Sequence, residues 1–228
     1  MSLRVYLGWD SREIDAFQVA AKSFASFGCE VIALHEDRLR LCGILTRPLD
    51  RRGRMFDFNS AAEQSTDFAI SRFAVPLLAH SGWALFADAD TMARQDPHLL
   101  LSIADDRFAV MVVKRTTTQM EGIKMDGQKQ VAYHRKNWSS VALWNASHPA
   151  IARLNLTTLN QWPGRDLHAF KFLADDEIGC LPSAWNHLVG VDEPRSDPAI
   201  IHWTNGTPNL PGYEDSEHAQ VWREASQR

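Results

Sequence analysis

Cysteine is scarce in this sequence, which has three in 228 residues: Cys29, Cys42 and Cys180. The number is odd, no two of them are close together, and no Cys-x-x-Cys pair occurs. A disulfide framework and a zinc knuckle are therefore both unexpected. Because cytoplasmic proteins keep their thiols reduced, this cysteine usage favours a cytoplasmic protein.

Long apolar runs and a strong net charge are also absent. No segment approaches the roughly 18 apolar residues that a membrane span requires. The N-terminal stretch MSLRVYLGWD lacks the long apolar core of a signal peptide. The formal net charge is −4, so no overall basic field indicates nucleic acid as a partner. We expect a protein that has no transmembrane segment and does not bind nucleic acid.

What the chain does contain is the composition of an ordinary globular protein, with 45% apolar and 23% charged residues. Its length is sufficient to bury a substantial core. No internal repeat, low-complexity segment or clear linker divides it. We therefore predict a single α/β domain over residues 1–228.

A strand, a helix and a second strand follow one another at the start of the chain. LRVYLG (3–8) is an apolar run ending in glycine, which predicts a strand. Apolar residues at helical spacing over 14–27 predict a helix, with Asp10 and Glu13 as a plausible N-cap pair. EVIAL (30–34) predicts the second strand, and such a unit is typical of a parallel sheet.

Further elements are predicted along the rest of the chain, whereas the last 70 residues give no clear pattern. The predicted elements are a helix over 65–80 with a kink or second start at Pro76, a strand at 83–87, a short helix opened by Asp96 and Pro97, strands at 107–113 and 139–144, and a helix over 148–154.

Residues 43–64 have few periodic apolar residues and contain Pro, Gly and four arginines. We predict a long loop in which Arg47, Arg51, Arg52 and Arg54 are solvated. A lid or an acceptor site is the less favoured interpretation of these arginines.

The most informative stretch is WALFADADTM, from Trp83 to Met92. An apolar strand runs into two aspartates, Asp88 and Asp90, separated by one residue. In open α/β sheets ligands bind beyond the carboxyl ends of the strands, where a turn lets both carboxylates converge on one divalent cation. Oxygen ligands suit Mg²⁺ or Mn²⁺. The alternative is a solvated loop that happens to contain two acidic residues.

Five segments in a fixed order carry a family resemblance. They are VYLGWD, STDFAISRFAVPLLAHSGWALFADADTM, SSVALWN, PGRDLHAF and IIHWTNG, which together span roughly residues 3–212. This ordered set resembles glycosyltransferase family 8, the glycogenin-like retaining nucleotide-sugar transferases. The resemblance implies the GT-A fold, a mixed and mostly parallel central sheet flanked by helices. It also implies a nucleotide-diphosphate sugar as donor, most simply a UDP-hexose, and a saccharide, lipid or protein as acceptor.

The resemblance further implies a metal site and catalytic residues. Asp88, Asp90 and His202 would bind Mn²⁺ or Mg²⁺, and the metal would hold both phosphates of the donor. Arg72 would contact the donor sugar or phosphate, and Asp166 would contact sugar hydroxyls near the anomeric carbon. Each has a structural alternative: His202 as a core histidine, Arg72 as an ion-pair partner, and Asp166 as a helix cap.

A nucleoside slot is implied at the end of the first strand. Asp10 would hydrogen-bond the base, Tyr6 or Gly8 would line the slot, and Asp88 and Ala89 would contact the nucleotide-sugar. Asp10 is also a good helix cap, so both of its roles remain open at this point.

The sequence departs from the family pattern at several places. Residues 138–140 (WSS) stand where the family has Asn-x-Gly, and Asp166 is followed by leucine rather than glutamine. His168 is a candidate substitute for that glutamine. Gly206 follows the C-terminal histidine one residue later than usual, and Asn209 stands about where a phosphate-binding lysine is expected. Donor sugar, acceptor and full activity are therefore left open.

Two other interpretations compete with a transferase. A haloacid dehalogenase-type phosphohydrolase would use Asp88 as nucleophile, Asp90 as acid and base, Lys114 for phosphate, and Asp175 with Asp176 for Mg²⁺. That motif normally opens a chain, whereas here 87 residues precede it. The other alternative is a nucleotide-sugar-binding module without catalytic activity.

Overall fold

The computed structural model describes residues 2–52, 55–115, 122–123, 129–130, 135 and 137–227. The described strands are β1 (Arg4–Gly8), β2 (Glu30–Leu34), β3 (Leu49–Asp50), β4 (Phe56–Asp57), β5 (Ala62–Glu63), β6 (Trp83–Ala87), β7 (Thr91–Ala93), β8 (Val110–Val112), β9 (Gly122–Ile123), β10 (Lys129–Gln130), β11 (Val141–Asn145), β12 (Ile178–Cys180), β13 (His187–Leu188) and β14 (Ile200–His202).

Helices flank these strands. The described α-helices are α1 (Ile14–Ser26), α2 (Glu36–Leu41), α3 (Val75–Ala79), α4 (Leu99–Ile103), α5 (Leu156–Gln161), α6 (Gly164–His168) and α7 (Ala219–Ser226). Short 3₁₀ helices occupy Ser71–Ala74, Trp138–Ser140, Pro149–Arg153, Asp175–Glu177 and Ser183–Asn186. Within the described ranges, no helix has both the length and the apolar character that crossing a bilayer demands.

The central sheet has six strands in the order β12-β8-β11-β6-β1-β2. β1 runs parallel to both β2 and β6, and β12 runs parallel to β8. β11 is antiparallel to its two neighbours, β6 and β8. The predicted mixed, mostly parallel sheet with flanking helices is therefore confirmed, and the carboxyl ends of β1 and β6 lie at the same edge.

Alternating side chains of the central sheet enter two separate cores, as the period of a strand requires. Val5 and Leu7 of β1 pack with Phe24 of α1 on one face. Tyr6, between them, packs with Phe68 on the opposite face. Both faces of the sheet are thus buried, which fixes the register of β1 beside β6.

A second sheet, in the order β13-β14-β7, brings the C-terminal part of the chain to the end of β6. β14 is antiparallel to β7, and their register sets His202 opposite Thr91. Behind this sheet, Ile201 and Trp203 form a third core with Val19 of α1 and Trp222 of α7. The C-terminal helix therefore supports the strand that carries His202.

The strands were predicted more closely than the helices. Residues 65–70 form turns, and regular helix begins only with the 3₁₀ helix that leads into α3. The backbone N–H of Asp67 donates to the Asp10 carboxylate (3.0 Å), so this segment is held by a tertiary contact rather than by helical hydrogen bonds. Pro76 lies in the first turn of α3, which confirms the second helix start predicted there.

Other boundaries differ for similar local reasons. The predicted helix at 148–154 is a 3₁₀ helix, whose first turn is held by the His148 ring accepting the N–H of Ala150. The strand predicted from residue 107 begins at Val110, because the Asp105 carboxylate accepts the N–H of Arg107 and makes a turn.

The prediction that the arginines of residues 43–64 are solvated is wrong for Arg47. This side chain is 2% exposed; its Nη2 lies 2.5 Å from the Asp57 carboxylate and its Nη1 donates to two carbonyls, of Leu159 and Trp162. The segment also contains the small antiparallel sheet β3-β4-β5. Arg52 is exposed, as predicted, and Arg54 lies outside the described residues.

Replacing Arg47 with alanine should leave the buried Asp57 carboxylate without its counter-ion. Because removing one partner of a buried ion pair is costly, we expect the free energy of unfolding to fall by about 3–5 kcal/mol. Urea unfolding measures this value. Arg52→Ala, in the same segment and exposed, is the matched control and should stay within about 0.5 kcal/mol of wild type. Equal effects of the two changes would contradict a structural role for Arg47.

Candidate metal centre and its cavity

The two aspartates lie in a turn whose backbone is fixed on three sides. After β6, the N–H of Asp88 donates to the Ser140 carbonyl (2.9 Å), and the Thr91 hydroxyl donates to the Asp88 carbonyl (2.7 Å). The Asp90 carbonyl accepts the N–H of Trp203 (3.0 Å). The backbone turns between the two residues, so both carboxylates face the same cavity.

His202 reaches this turn because β14 pairs with β7. Its Nε2 lies 3.1 Å from Asp90 Oδ1. One potential ligand atom from each of Asp88, Asp90 and His202 lies within 4.8 Å of the others. One divalent cation can bridge atoms at this separation after small side-chain rotations. Two carboxylates and one imidazole fit Mn²⁺, which accepts nitrogen ligands more readily than Mg²⁺ does.

Asn186 determines which nitrogen of His202 faces the aspartates. The Ser140 hydroxyl donates to the Asn137 carbonyl (2.8 Å), so its oxygen must accept from Asn186 Nδ2 at 3.0 Å. Asn186 Oδ1 then accepts from His202 Nδ1 at 2.9 Å. A neutral His202 consequently carries its proton on Nδ1 and presents the Nε2 lone pair to the cavity, the tautomer that binds a metal.

The charges around His202 also favour a cation. Burial lowers the pKa of His202, but the charge of Asp90 and its hydrogen bond to the ring outweigh burial, so the pKa is raised. Burial raises the pKa of Glu13 to about 8, and the charges of Asp90, Asp10 and Asp88 act in the same direction. A third carboxyl group therefore lies within the electrostatic influence of the Asp88–Asp90 turn.

Arg72 lies beside the turn, as one of the predicted alternatives has it. Its Nη1 is 2.9 Å from Asp88 Oδ1 and donates to the Ser139 carbonyl at 3.1 Å. The guanidinium also lies over the rings of Phe68 and Phe86, 5.3 and 5.0 Å from their centroids. These contacts fix a buried cationic side chain at the wall of the cavity.

A cavity of about 630 Å³ opens in front of these groups, a volume in the range of small-molecule sites. Arg72, Asp88, Asp90 and His202 line it. Four carboxylate side chains line it in the described part of the chain, against two guanidinium groups, those of Arg12 and Arg72. The lining residues are 11–16, Ser65, Thr66, Phe68, Arg72, Asp88, Asp90, Asn137, Ser139, Ser140, His168, 202–207, 209–211 and Tyr213.

The residues predicted for the nucleoside slot lie behind the cavity wall. Tyr6 and Ala89 are buried in the core, and a Cβ at Gly8 would be 2.5 Å from the Phe68 ring. Asp10 is fully buried and binds Arg12 through its carboxylate, with the Arg12 N–H donating to Oδ1 at 2.9 Å. The helix α1 starts after Glu13 without a side-chain cap, so the predicted N-cap pair is wrong.

Asp166 is not among the residues that line the cavity. Its Oδ1 lies 2.6 Å from Lys171 Nζ. Leu167 is buried in the core, whereas His168 does line the cavity and hydrogen-bonds the Ser139 hydroxyl (2.8 Å). Burial, with the charge of Arg72, lowers the pKa of His168 to about 3, which keeps the ring neutral.

Sequence reasoning missed three contributors to this site. Glu13 was predicted only as part of a helix start and Arg12 was not singled out, yet both line the cavity. Asn186 gave no signal, because its segment has no clear periodicity.

The loop after β14 closes the cavity: a Cβ at Gly206 would lie 2.6 Å from the Tyr213 ring, so this close approach requires glycine. Asn209, in the place expected for a lysine, donates to Asp15 at 3.2 Å.

The residues required for a phosphohydrolase do not come together. Lys114 is exposed and lies over the Trp138 ring (5.8 Å), outside the cavity. Asp175 and Asp176 are exposed in a 3₁₀ helix, and Asp175 pairs with Arg135. That alternative is therefore not favoured.

The fold is shared with solved glycosyltransferases. The bifunctional glycosyltransferase WbbM aligns over 99% of this chain with a TM-score of 0.65 at 16% identity. GlyE of Streptococcus pneumoniae TIGR4 aligns over all of it (TM-score 0.61, 15% identity), and the galactosyltransferase LgtC, solved with donor and acceptor sugar analogs, over 99% (TM-score 0.59, 13% identity). The chain spans 49% of the WbbM chain, 61% of GlyE and 95% of LgtC. The predicted GT-A fold is confirmed.

No profile of a known protein family matches the sequence. One curated relative does: Protein CDI of Arabidopsis thaliana is 36% identical over 228 residues, covering 96% of this chain and 84% of that protein. At this identity and coverage the two share ancestry along nearly their whole length. The chain belongs to the same family as Protein CDI.

Proposed function

We propose that this chain is a metal-dependent glycosyltransferase that moves a hexose from a nucleotide-diphosphate sugar, most simply a UDP-sugar, to a saccharide, lipid or protein acceptor. The observation that carries the proposal is the convergence of Asp88, Asp90 and His202 in one cavity of a GT-A fold. A bound Mn²⁺ would neutralise the diphosphate and charge developing on the leaving group.

The side chains of the cavity supply positioning and electrostatics in this proposal. Arg72 and Arg12 provide the positive charge available to phosphate oxygens, since asparagine replaces the expected lysine. His168 lines the cavity, but its neutral ring is hydrogen-bonded by the Ser139 hydroxyl and by the Ala69 backbone, so it shapes the cavity wall near the donor. These fixed groups lower the barrier by orienting the donor and by stabilising the departing diphosphate.

Direct contact with the donor stays a prediction for five residues: Asp166, Tyr6, Gly8, Asp10 and Ala89. Asp10 has a second role in the proposal, because its carboxylate orients Arg12 at the cavity wall through hydrogen bonds to Nε (2.9 Å) and Nη2 (2.5 Å). Retention of anomeric configuration likewise stays an implication of the family 8 resemblance.

The first prediction from this proposal concerns donor binding, measured by calorimetric titration of UDP into the chain. UDP should bind with Mn²⁺ present and not in EDTA, because the cation links the acidic turn to the diphosphate. Asp90→Asn should remove detectable binding, whereas Asp176→Asn, the same change at an exposed carboxylate, should leave it unchanged.

Turnover of a panel of UDP-sugars, measured as the release of UDP, completes this test. Release that depends on Mn²⁺ and Asp90 supports a transferase. Tight UDP binding without any release, with every sugar, would instead identify a binding module. Metal-independent UDP binding, or no nucleotide binding at all, would contradict the proposal.

A second prediction follows from the Asn186 hydrogen bonds. Asn186→Ala removes the acceptor that holds the proton on His202 Nδ1, so Mn²⁺ affinity should fall about 10–100-fold, the usual effect of losing a partner of a ligating histidine. Asn186→Asp keeps an acceptor oxygen and should retain most of the affinity. Electron paramagnetic resonance titration of free Mn²⁺, without nucleotide, measures both. Equal affinities of wild type and Asn186→Ala would argue against this role.

A third prediction concerns the pH dependence of stability in EDTA. The folded-state pKa of Glu13 is raised from 4.5 to about 8. The contribution of Glu13 to the free energy of unfolding is therefore fully present below pH 4.5 and is lost as pH rises to about 8. Glu13→Gln cannot ionise. Its unfolding temperature should therefore rise relative to wild type between pH 5 and pH 9, and saturating Mn²⁺ should shrink the difference. Parallel curves in EDTA would show that Glu13 is not perturbed.

A further inference from the structure

A second group of candidate metal ligands lies outside the cavity. His187 Nε2 is 3.1 Å from Glu217 Oε2, and His218 Nε2 is 3.1 Å from Glu217 Oε1. One potential ligand atom from each residue lies within 4.8 Å of the others. The three residues join β13 to the segment that leads directly into α7. None of them takes part in the proposed transferase reaction.

The buried ring of His187 lies between two carboxylates. Its Nε2 faces Glu217, and its Nδ1 lies 3.7 Å from Asp192 Oδ2. A neutral imidazole has one N–H and one acceptor nitrogen, so its lone pair must face a carboxylate oxygen. A metal ion bound at Nε2 removes this conflict, because Nδ1–H then points to Asp192. Carboxylate, histidine and metal form such a series in many metal sites.

Asp192 and Glu217 are themselves held in place. Asp192 Oδ2 accepts the N–H of Leu188 at 2.8 Å. Glu217 Oε1 accepts the N–H of Arg195 at 2.8 Å, and the Glu217 carbonyl accepts Trp203 Nε1–H at 3.1 Å. The carboxylate therefore has a fixed orientation in which Oε2 is directed towards His187.

His218 completes the group from a constrained backbone position. Its φ is 62°, in the left-handed region, which is uncommon for residues other than glycine, although asparagine, aspartate and histidine are enriched there. This conformation ends the loop before α7 and aims the ring at Glu217. The side chains of Glu217 and His218 are 24% and 16% exposed, which leaves an ion and a water ligand access from solvent.

We propose that His187, Glu217 and His218 form a second metal site, selective for Zn²⁺, with Asp192 orienting His187. Two imidazoles and one carboxylate, with water in the fourth position, are a donor set that Zn²⁺ prefers. The ion would fasten the start of α7 to β13. Since Trp222 of α7 packs in the core behind Ile201 and Trp203, the site would stabilise the sheet that carries His202. This inference does not depend on the proposed transferase function.

The test uses the full chain with Asp88→Asn and Asp90→Asn, which removes the carboxylate ligands of the first site. After treatment with a chelator, Zn²⁺ and Co²⁺ are titrated separately. We expect one equivalent of Zn²⁺ to bind, an unfolding temperature higher in Zn²⁺ than in chelator, and the intense visible absorption of four-coordinate Co²⁺. Binding of no Zn²⁺ would overturn the proposal.

Ligand variants in the same background locate the ion. Glu217→Gln keeps an oxygen to accept the Arg195 N–H, and His218→Asn tolerates the left-handed backbone, so both preserve the local fold while removing a ligand. Each should weaken Zn²⁺ binding at least about 100-fold, and Asp192→Asn about 10-fold. Wild-type affinity in Glu217→Gln and His218→Asn would overturn the assignment. Should either variant unfold, the Co²⁺ spectrum of the parent background still decides the question.

Discussion

The antiparallel pairing of β14 with β7 is the contact on which the candidate site depends. The turn at Asp88–Asp90 belongs to the first half of the chain, and His202 belongs to the last part. The register that sets His202 opposite Thr91, together with the hydrogen bond from Trp203 N–H to the Asp90 carbonyl, brings them together. The third core behind this sheet, with Trp222 of α7, fixes the pairing from the other side. Packing of the C-terminal helix is thus coupled to the geometry of the site.

The cavity in front of this turn has an excess of negative charge. Carboxylates outnumber guanidinium groups among the described residues of the cavity, and burial with neighbouring negative charge already raises the pKa of Glu13. A cation between Asp88, Asp90 and His202 would relieve this repulsion, and the hydrogen bonds from Ser140 through Asn186 leave Nε2 of His202 facing the two aspartates. Two adjacent residues connect the two metal-site proposals, since Asn186 orients His202 and His187, the first residue of β13, faces Glu217.

The sequence predicted the strands around the site well, because β1, β2 and β6 are short apolar runs with clear ends and the two aspartates follow β6 directly. It predicted poorly wherever a tertiary contact replaced a local pattern. Arg47 looked solvated, but its partner Asp57 and two carbonyls far along the chain bury it. Asn186 and Glu13 act through neighbours that are distant in sequence, which no spacing rule reveals. The GT-A fold was recognisable from the order of five sequence segments. The hydrogen bonds that set the tautomer of His202 are visible only in the three-dimensional structure.

A crystal structure of the chain with Mn²⁺ and UDP would show directly whether Asp88, Asp90 and His202 hold a metal that binds the nucleotide. We expect one Mn²⁺ bound by the carboxylates of Asp88 and Asp90 and by Nε2 of His202, with both phosphates on the same ion and Arg72 beside them. Asn186 should still accept the hydrogen bond from His202 Nδ1. An ion bound elsewhere, His202 turned away from it, or UDP outside the cavity would contradict the proposed metal and donor site.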